Sequence, residues 1–184
     1  MDQTQRKLLV LDVDETLVHG AERRLERDPD FKVGPFFVYR RPHLDHFLKA
    51  SAQFFNLAVW SAGGEDYVGA VVRKILAPVV QPLFVWTNSR CTPRFDIEAR
   101  EQYAIKDLRK IRRKGFNLER VLVVDNDPRT AIRNYGNLIQ ISSYAGETDD
   151  EELKALAAYL SKIHGSENFR LIEKRGWRQT VELP

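Results

Sequence analysis

Short apolar segments alternate along the chain with segments of helical periodicity, and this alternation constrains the fold more than any other feature. Four apolar segments are predicted to be strands: 7–12 (KLLVLD), 55–61 (FNLAVWS), 119–127 (ERVLVVDND) and 137–142 (NLIQIS). Helices are predicted between and after them, over residues 40–54, 63–78, 104–115 and 149–165. Strands rich in Leu and Val are typical of a parallel sheet covered on both faces. The pattern predicts an α/β fold with a doubly wound, mostly parallel sheet.

The remaining segments predict smaller features around this sheet. Residues 35–40 (PFFVYR) indicate a small flap or hairpin beside the end of the first strand, and Pro42 is expected in the first turn of the following helix. Residues 78–103 are expected to hold one strand and otherwise to be irregular, and the tail is expected to form a hairpin around Gly176. The spacing leaves no room for a large cap domain.

Composition limits the class of protein. The chain has 184 residues, of which 43% are hydrophobic and 30% charged, as expected for one soluble domain over residues 1–184. It contains no apolar run long enough to span a membrane, and residues 1–7 do not resemble a signal peptide. We therefore expect a cytoplasmic or nuclear protein that does not bind membranes. The lone Cys91 has no evident base beside it, so an inert, half-buried thiol is favoured over a nucleophile.

Two carboxylates follow the first strand directly. In an extended stretch Asp12 and Asp14 point to the same side, and a hard cation such as Mg²⁺ would relieve their repulsion and hold a phosphate oxygen. One aspartate could then attack phosphorus while the other serves as general acid and base, and the hydroxyl of Thr16 could fix the loop. Taken alone, the two aspartates could instead be turn-forming or capping residues.

Polar residues also follow the later strands, where the functional crevice of such folds lies. Ser61 offers a hydroxyl to a phosphate, with the backbone N–H of Ala62 nearby, and Lys106 could neutralise the nucleophile and the transferring phosphoryl group. Asp125 and Asn126 add oxygen ligands for the metal. Each has an ordinary alternative as a helix-entry serine, a surface lysine or a turn residue.

The order DxDxT, Ser, Lys, Asp at successive strand ends resembles the haloacid dehalogenase superfamily of aspartate-dependent phosphatases. Five blocks, LDVDETLVH, RRPHLDHFL, VWSAG, KDL and VVDNDP, are similar to the family of RNA polymerase II C-terminal-domain phosphatases and NLI-interacting-factor-like proteins. The similarity covers roughly residues 7–160.

The resemblance implies a role for each matching residue. Asp12 would be the nucleophile that forms an aspartyl-phosphate, and Asp14 would protonate the leaving alkoxide, activate water and bind Mg²⁺ through its backbone carbonyl. Ser61 and Lys106 would bind the phosphate. The metal would be held by Asp12, Asp14, Asn126 and, directly or through water, Asp125.

The chain departs from the family pattern in three places. Asp127 stands where the family usually has Ser, Gly63 stands where it has a second hydroxyl residue, and residues 78–103 match poorly. That last region helps to select substrates in the family, so the substrate is the least constrained inference.

The favoured substrate is a phosphoserine or phosphothreonine segment of a protein, because an uncapped site is open to macromolecules. A nucleic-acid end or a small phosphometabolite is the alternative, motivated by the basic residues in 106–120, although such a run is usually a solvated helix face. A non-catalytic binding member of the family is a further alternative. Four aromatic residues of the flap could pack a peptide beside the phosphate, or simply form a core: Phe31, Phe36, Phe37 and Tyr39.

Overall fold

A parallel sheet forms the centre of the computed structural model, which describes residues 6–98 and 100–181. Its five strands lie in the spatial order β10 (Leu138–Gln140), β9 (Val121–Asp125), β1 (Leu8–Leu11), β5 (Asn56–Trp60) and β6 (Val85–Trp86). Every neighbouring pair is parallel. Because β1 lies between β9 and β5, the residues that follow these three strands meet at one edge of the sheet.

Helices cover both faces of the sheet, as a doubly wound fold requires. The longer helices are α1 (Leu44–Phe54), α2 (Glu65–Ile75) and α4 (Glu152–Ile163), and the short α3 spans Arg109–Arg112. Leu9 and Leu11 belong to the core cluster that contains α1, α2 and α4, whereas Leu8 and Val10 belong to the cluster around Ile111 of α3. The predicted fold class is confirmed. None of the helices among the described residues has the length and apolar character needed to cross a membrane.

A small antiparallel flap follows β1, as predicted. It consists of β2 (Val18–Ala21), β3 (Phe31–Val33) and β4 (Phe36–Arg40), with β4 in the middle. Tyr39 is fully buried in the flap, which agrees with core packing rather than peptide contact for this residue. No large cap domain is present in the part of the chain that the structure describes.

The region between β6 and α3 differs from the prediction. Residues expected to be irregular form an antiparallel ribbon of β7 (Thr92–Asp96) and β8 (Glu101–Ile105), and the predicted helix over 104–115 shortens to α3. The ribbon is largely exposed, so its sequence lacks the apolar pattern by which a buried or half-buried strand is identified. Pairing with β7 holds Ala104 and Ile105 extended, although the predicted helix included them.

Two local predictions were wrong. Pro42 precedes α1 instead of occupying its first turn, because His43 adopts a positive φ of 62° at the N-cap and the helix begins at Leu44. The tail forms no hairpin up to residue 181. Its turns at Phe169–Leu171 and Trp177–Thr180 are 3₁₀-helical, and Trp177 docks on α4 and donates to the carbonyl of Gln140 at 2.8 Å.

Candidate active site

A cavity of about 990 Å³ lies at the carboxyl ends of the central strands. It is bounded on one side by the ribbon residues Pro93, Gln102, Tyr103 and Ala104. Seven of the eight residues predicted from the sequence line it: Asp12, Asp14, Ser61, Ala62, Lys106, Asp125 and Asn126. The eighth, Thr16, lies behind Asp12. The structure therefore brings together side chains that are far apart in the sequence.

Asp12 continues β1 and is held from three directions. Its backbone N–H donates to the carbonyl of Val124 at 3.0 Å, which fixes the residue beside the end of β9. Its Oδ1 accepts from Lys106 Nζ at 2.6 Å, and its Oδ2 accepts from Thr16 Oγ1 at 3.2 Å. A tight turn places Thr16 there, because the amides of Thr16, Leu17 and Val18 all donate to the carbonyl of Val13. The carboxylate of Asp12 is thus oriented at the cavity wall.

Lys106 bridges two buried carboxylates. Its Nζ also donates to Asp125 Oδ2 at 2.7 Å, and its backbone N–H is fixed by the carbonyl of Thr130. Burial lowers the pKa of Lys106, but the two carboxylates outweigh burial and raise it above its ordinary value. Burial outweighs the charge of Lys106 and, with the neighbouring Asp125 carboxylate, raises the pKa of Asp12 to about 7. Lys106 is therefore charged, and its ammonium group favours the ionised form of Asp12.

Asp14 has a different environment. Its Oδ1 accepts from the hydroxyl of Tyr67 at 2.7 Å. Burial raises the pKa of Asp14, while the Tyr67 hydrogen bond and the Lys106 charge lower it less strongly. A carboxyl group whose pKa is raised by burial suits general acid and base chemistry. The two aspartates thus differ in their contacts, with a cation at Asp12 and a neutral hydroxyl at Asp14, although burial raises the pKa of both.

Ser61 and Ala62 form the wall beside β5. Ser61 donates its backbone N–H to the carbonyl of Trp86, and its Oγ accepts from the backbone N–H of Gly63 at 2.9 Å. The residue is almost fully buried, whereas Ala62 is exposed at the cavity. The hydroxyl of Ser61 is therefore held in one place, and its proton can be donated to an oxygen in the cavity.

The amide of Asn126 is oriented by its neighbours. Its Nδ2 donates to Ser143 Oγ at 3.0 Å and to Glu15 Oε2 at 3.1 Å. Its Oδ1 therefore points the other way and lies 3.3 Å from Thr16 Oγ1, on the side of Asp12. This orientation gives the cavity an amide oxygen next to a carboxylate.

The oxygen atoms in the cavity fit a magnesium ion. Mg²⁺ prefers oxygen ligands and keeps several waters, so it needs only a few protein donors. Asp12, Asp125 and Asn126 supply such oxygens, and the predicted fourth donor is the backbone carbonyl of Asp14. No cluster of three or more His, Cys, Asp or Glu side chains able to hold a metal occurs among residues 6–98 and 100–181. A magnesium ion bound here would accordingly also use the amide oxygen of Asn126 and the backbone carbonyl of Asp14.

Sequence reasoning missed three residues that hold the site. Tyr67 contacts Asp14, Thr130 Oγ1 donates to Asp125 Oδ2 at 2.7 Å, and Arg129 pairs with Asp127 at 3.0 Å and with Glu101. Asp127 also caps the 3₁₀ turn by accepting from the backbone N–H of Arg129. The extra negative charge at Asp127 is thus paired with an arginine. Only the proximity of Thr130 and Arg129 to the VVDNDP block could have indicated their roles.

Comparison with known proteins identifies the family of the chain. A family model described as NLI interacting factor-like phosphatase matches residues 7–170. The chain belongs to this family. It is accordingly a phosphatase, and the resemblance read from the sequence is confirmed.

Two relatives illustrate the similarity within the NLI interacting factor-like family. The chain is 30% identical to the CTD nuclear envelope phosphatase 1 homolog of Drosophila melanogaster over 186 residues, covering 93% of this chain and 73% of the relative. It is 31% identical to CTD nuclear envelope phosphatase 1 of Xenopus tropicalis over 196 residues, covering 97% and 76%.

Solved structures share the fold. The structure of Fcp1, an essential RNA polymerase II CTD phosphatase, superimposes with a TM-score of 0.66 at 15% identity, covering 88% of this chain and 63% of that one. A 3-deoxy-D-manno-octulosonate 8-phosphate phosphatase from Moraxella catarrhalis, in complex with magnesium and phosphate ions, gives a TM-score of 0.52 at 12% identity, covering 87% and 88%. The chain thus has the fold of the haloacid dehalogenase-like phosphatases.

Proposed function

We propose that the chain is a Mg²⁺-dependent phosphomonoester hydrolase that works through an aspartyl-phosphate on Asp12. One observation carries the proposal: Asp12 is fixed at the cavity wall between Lys106 and Thr16, and Asp14 lines the same cavity in a different electrostatic environment. This pairing supplies a nucleophile held by a lysine and a separate acid within one site.

The reaction proposed for these residues has two steps. Asp12 attacks phosphorus, the bond to the leaving oxygen breaks, and Asp14 donates its proton to that oxygen. Asp14 then removes a proton from water as the water oxygen attacks phosphorus and the bond to Asp12 breaks. Lys106 and the Ser61 hydroxyl counter the charge on the phosphoryl oxygens. A bound Mg²⁺ would neutralise further negative charge on the phosphate.

The oxygen donors of the cavity support the metal assignment. Asp12, Asp14, Asp125 and Asn126 would hold the ion, and the Moraxella phosphatase with the same fold was solved with magnesium and phosphate. Removal of Mg²⁺ with a chelator is accordingly expected to abolish turnover, and added Mg²⁺ should restore it.

We further propose that the substrate is a phosphoserine or phosphothreonine segment of a protein. The absence of a large cap among the described residues leaves the site accessible to a chain, and the names of the relatives include CTD phosphatases. Names that refer to the nuclear envelope also support a nuclear location, within the predicted choice of cytoplasm or nucleus. We retain residues 1–184 as a single phosphatase domain, because the family match covers most of them.

The nucleophile assignment is tested by Asp12→Asn. An amide cannot form the aspartyl-phosphate, so hydrolysis of p-nitrophenyl phosphate in Mg²⁺ should fall to background while thermal unfolding remains cooperative. Asp149→Asn is the matched control, because Asp149 is exposed and outside the cavity, and it should keep wild-type turnover. Wild-type turnover in Asp12→Asn would contradict the assignment.

The substrate class is tested with the same enzyme on phosphopeptides, 5′-phosphorylated oligonucleotides and small phosphometabolites. A kcat/KM for phosphopeptides well above that for p-nitrophenyl phosphate would support a protein substrate. Faster turnover of oligonucleotides or metabolites would favour that class of substrate instead of a protein. If no substrate is hydrolysed in the presence of metal, a binding role would be favoured.

A further inference from the structure

Tyr67 touches the proposed acid without belonging to the predicted site. It lies in the first turn of α2, and its hydroxyl donates to Asp14 Oδ1 at 2.7 Å. Its ring packs edge-on against Phe36 of the flap, with ring centroids 5.2 Å apart and an interplanar angle of 67°. Hydrogen bonds to a carboxylate are among the strongest that a hydroxyl makes. Tyr67 therefore connects α2, the flap and Asp14.

Gly20 of the flap makes this contact possible. A Cβ atom at position 20 would lie 2.4 Å from the Tyr67 hydroxyl oxygen and 3.7 Å from Asp14 Oδ1. Real Cβ atoms do not approach an oxygen that closely, so any side chain at this position would push the hydroxyl away. The flap strand is therefore in contact with the hydrogen bond.

The two oxygens of Asp14 face different groups. Oδ1 faces Tyr67 and Gly20, whereas Oδ2 faces the Ser61 side, since a Cβ atom at Gly63 would lie 3.5 Å from Oδ2 and 3.2 Å from Ser61 Oγ. The phosphate is proposed to bind on the Ser61 side. The oxygen nearer the substrate is thus the one that Tyr67 does not hold.

The hydrogen bond decides which oxygen of Asp14 faces the substrate side of the cavity. An ionised carboxylate can only accept hydrogen bonds, so Tyr67 is the donor to Oδ1. This bond fixes the plane of the Asp14 carboxyl group, so that Oδ1 stays with Tyr67 and Oδ2 stays on the Ser61 side of the cavity. In the first step the Oδ2–H bond breaks as the leaving oxygen gains the proton, and in the second step a proton from water returns to Oδ2.

We propose that Tyr67 is a positioning residue that holds Asp14 so that Oδ2 faces the leaving oxygen, with Gly20 keeping the space that this requires. The inference rests on the proposed function, in which Asp14 is the acid and base. It extends that function by assigning a contribution to α2 and the flap.

The test compares substrates whose leaving groups differ in their need for a proton. A p-nitrophenolate leaves without protonation, whereas the alkoxide of a phosphoserine peptide does not, and kcat/KM reports on the steps up to leaving-group departure. Tyr67→Phe should lower kcat/KM for the phosphoserine peptide by about tenfold or more. It should change kcat/KM for p-nitrophenyl phosphate by less than about twofold, because that step needs little acid catalysis. Asp14→Asn should show the same pattern with larger losses.

Gly20→Ala provides a second test that leaves Tyr67 and Asp14 intact. Its methyl group should displace the hydroxyl and reproduce the leaving-group pattern of Tyr67→Phe. In the double variant the hydroxyl is already gone, so Gly20→Ala should add little further loss. Tyr159→Phe is the matched control, because Tyr159 packs against Trp177 outside the cavity, and it should leave both substrates unaffected.

Equal losses on both substrates in Tyr67→Phe, or none, would overturn the inference. If Tyr67→Phe does not fold, Gly20→Ala alone decides the matter by the same criterion. Failure of the proposed function gives a different result: the wild type would hydrolyse neither substrate, or Asp14→Asn would lack leaving-group dependence.

Discussion

Two cations in the cavity each bridge two carboxylates, but at different depths. In the inner network Lys106 joins Asp12 and Asp125, with side chains no more than 9% exposed. In the outer network Arg129 joins Asp127 and Glu101, with side chains 30–49% exposed. The two networks have the same charge pattern, but only the inner network is largely shielded from water. Burial therefore decides what each network contributes, because a charge without a partner is costly only when water cannot reach it.

The largest effect is expected from Lys106→Met. The change leaves Asp12 and Asp125 buried beside each other without a cation, and removing one partner of a buried ion pair costs roughly 3–5 kcal/mol. The free energy of unfolding should fall by about that amount in urea titrations without metal, and phosphatase activity should disappear. Lys110→Met is the matched control, because half-buried Lys110 makes an exposed hydrogen bond to the carbonyl of Arg90, and its loss should change stability little.

The pH dependence of the stability of Lys106→Met distinguishes charge repulsion from lost packing. Burial raises the pKa of Asp12 in the wild type, and loss of Lys106 should raise it further. A carboxyl whose pKa is raised in the folded state binds more protons folded than unfolded, so stability increases as the pH falls toward the unfolded value of about 4. The deficit of Lys106→Met should therefore be largest near neutral pH and shrink on acidification. A loss of stability that does not change with pH would indicate lost packing instead of charge repulsion.

A smaller effect is expected from Thr130→Val, at the junction of the two networks. The Thr130 hydroxyl donates to Asp125 Oδ2, and a valine of similar shape removes this donor while leaving the cation in place. Losing one donor to a buried charged group costs about 1–3 kcal/mol. The free energy of unfolding should fall less than in Lys106→Met. An equal loss in Thr130→Val would show that hydrogen bonding, rather than the lysine charge, dominates the inner network.

The same difference in burial explains what the sequence could predict. The central strands and Asp12, Ser61 and Asp125 were found because buried strands leave continuous apolar runs, and chemistry gathers where those runs end. The exposed ribbon, which carries Glu101, leaves no such period and was missed. Tyr67 was missed for another reason: its hydrogen bond to Asp14 depends on how closely α2 and the flap approach, which no local pattern encodes.

The smallest effect is expected from Arg129→Gln in the outer network. Water can solvate Asp127 and Glu101 once the guanidinium is lost, so no measurable change in the free energy of unfolding is expected. The arginine is at the cavity, and its loss should raise KM for an acidic phosphopeptide by about threefold at low salt, with the difference shrinking at high salt.

Arg175→Gln provides the matched control for Arg129→Gln. Arg175 also pairs with a nearby acid, Glu173, but it lies outside this cavity. Because each variant replaces one arginine with glutamine, the two variants have the same net charge. Only Arg129→Gln should change KM, and neither should change turnover of p-nitrophenyl phosphate. Destabilisation of Arg129→Gln comparable to that of Thr130→Val would contradict the comparison, because it would mean that the exposed network stabilises the fold as the buried one does.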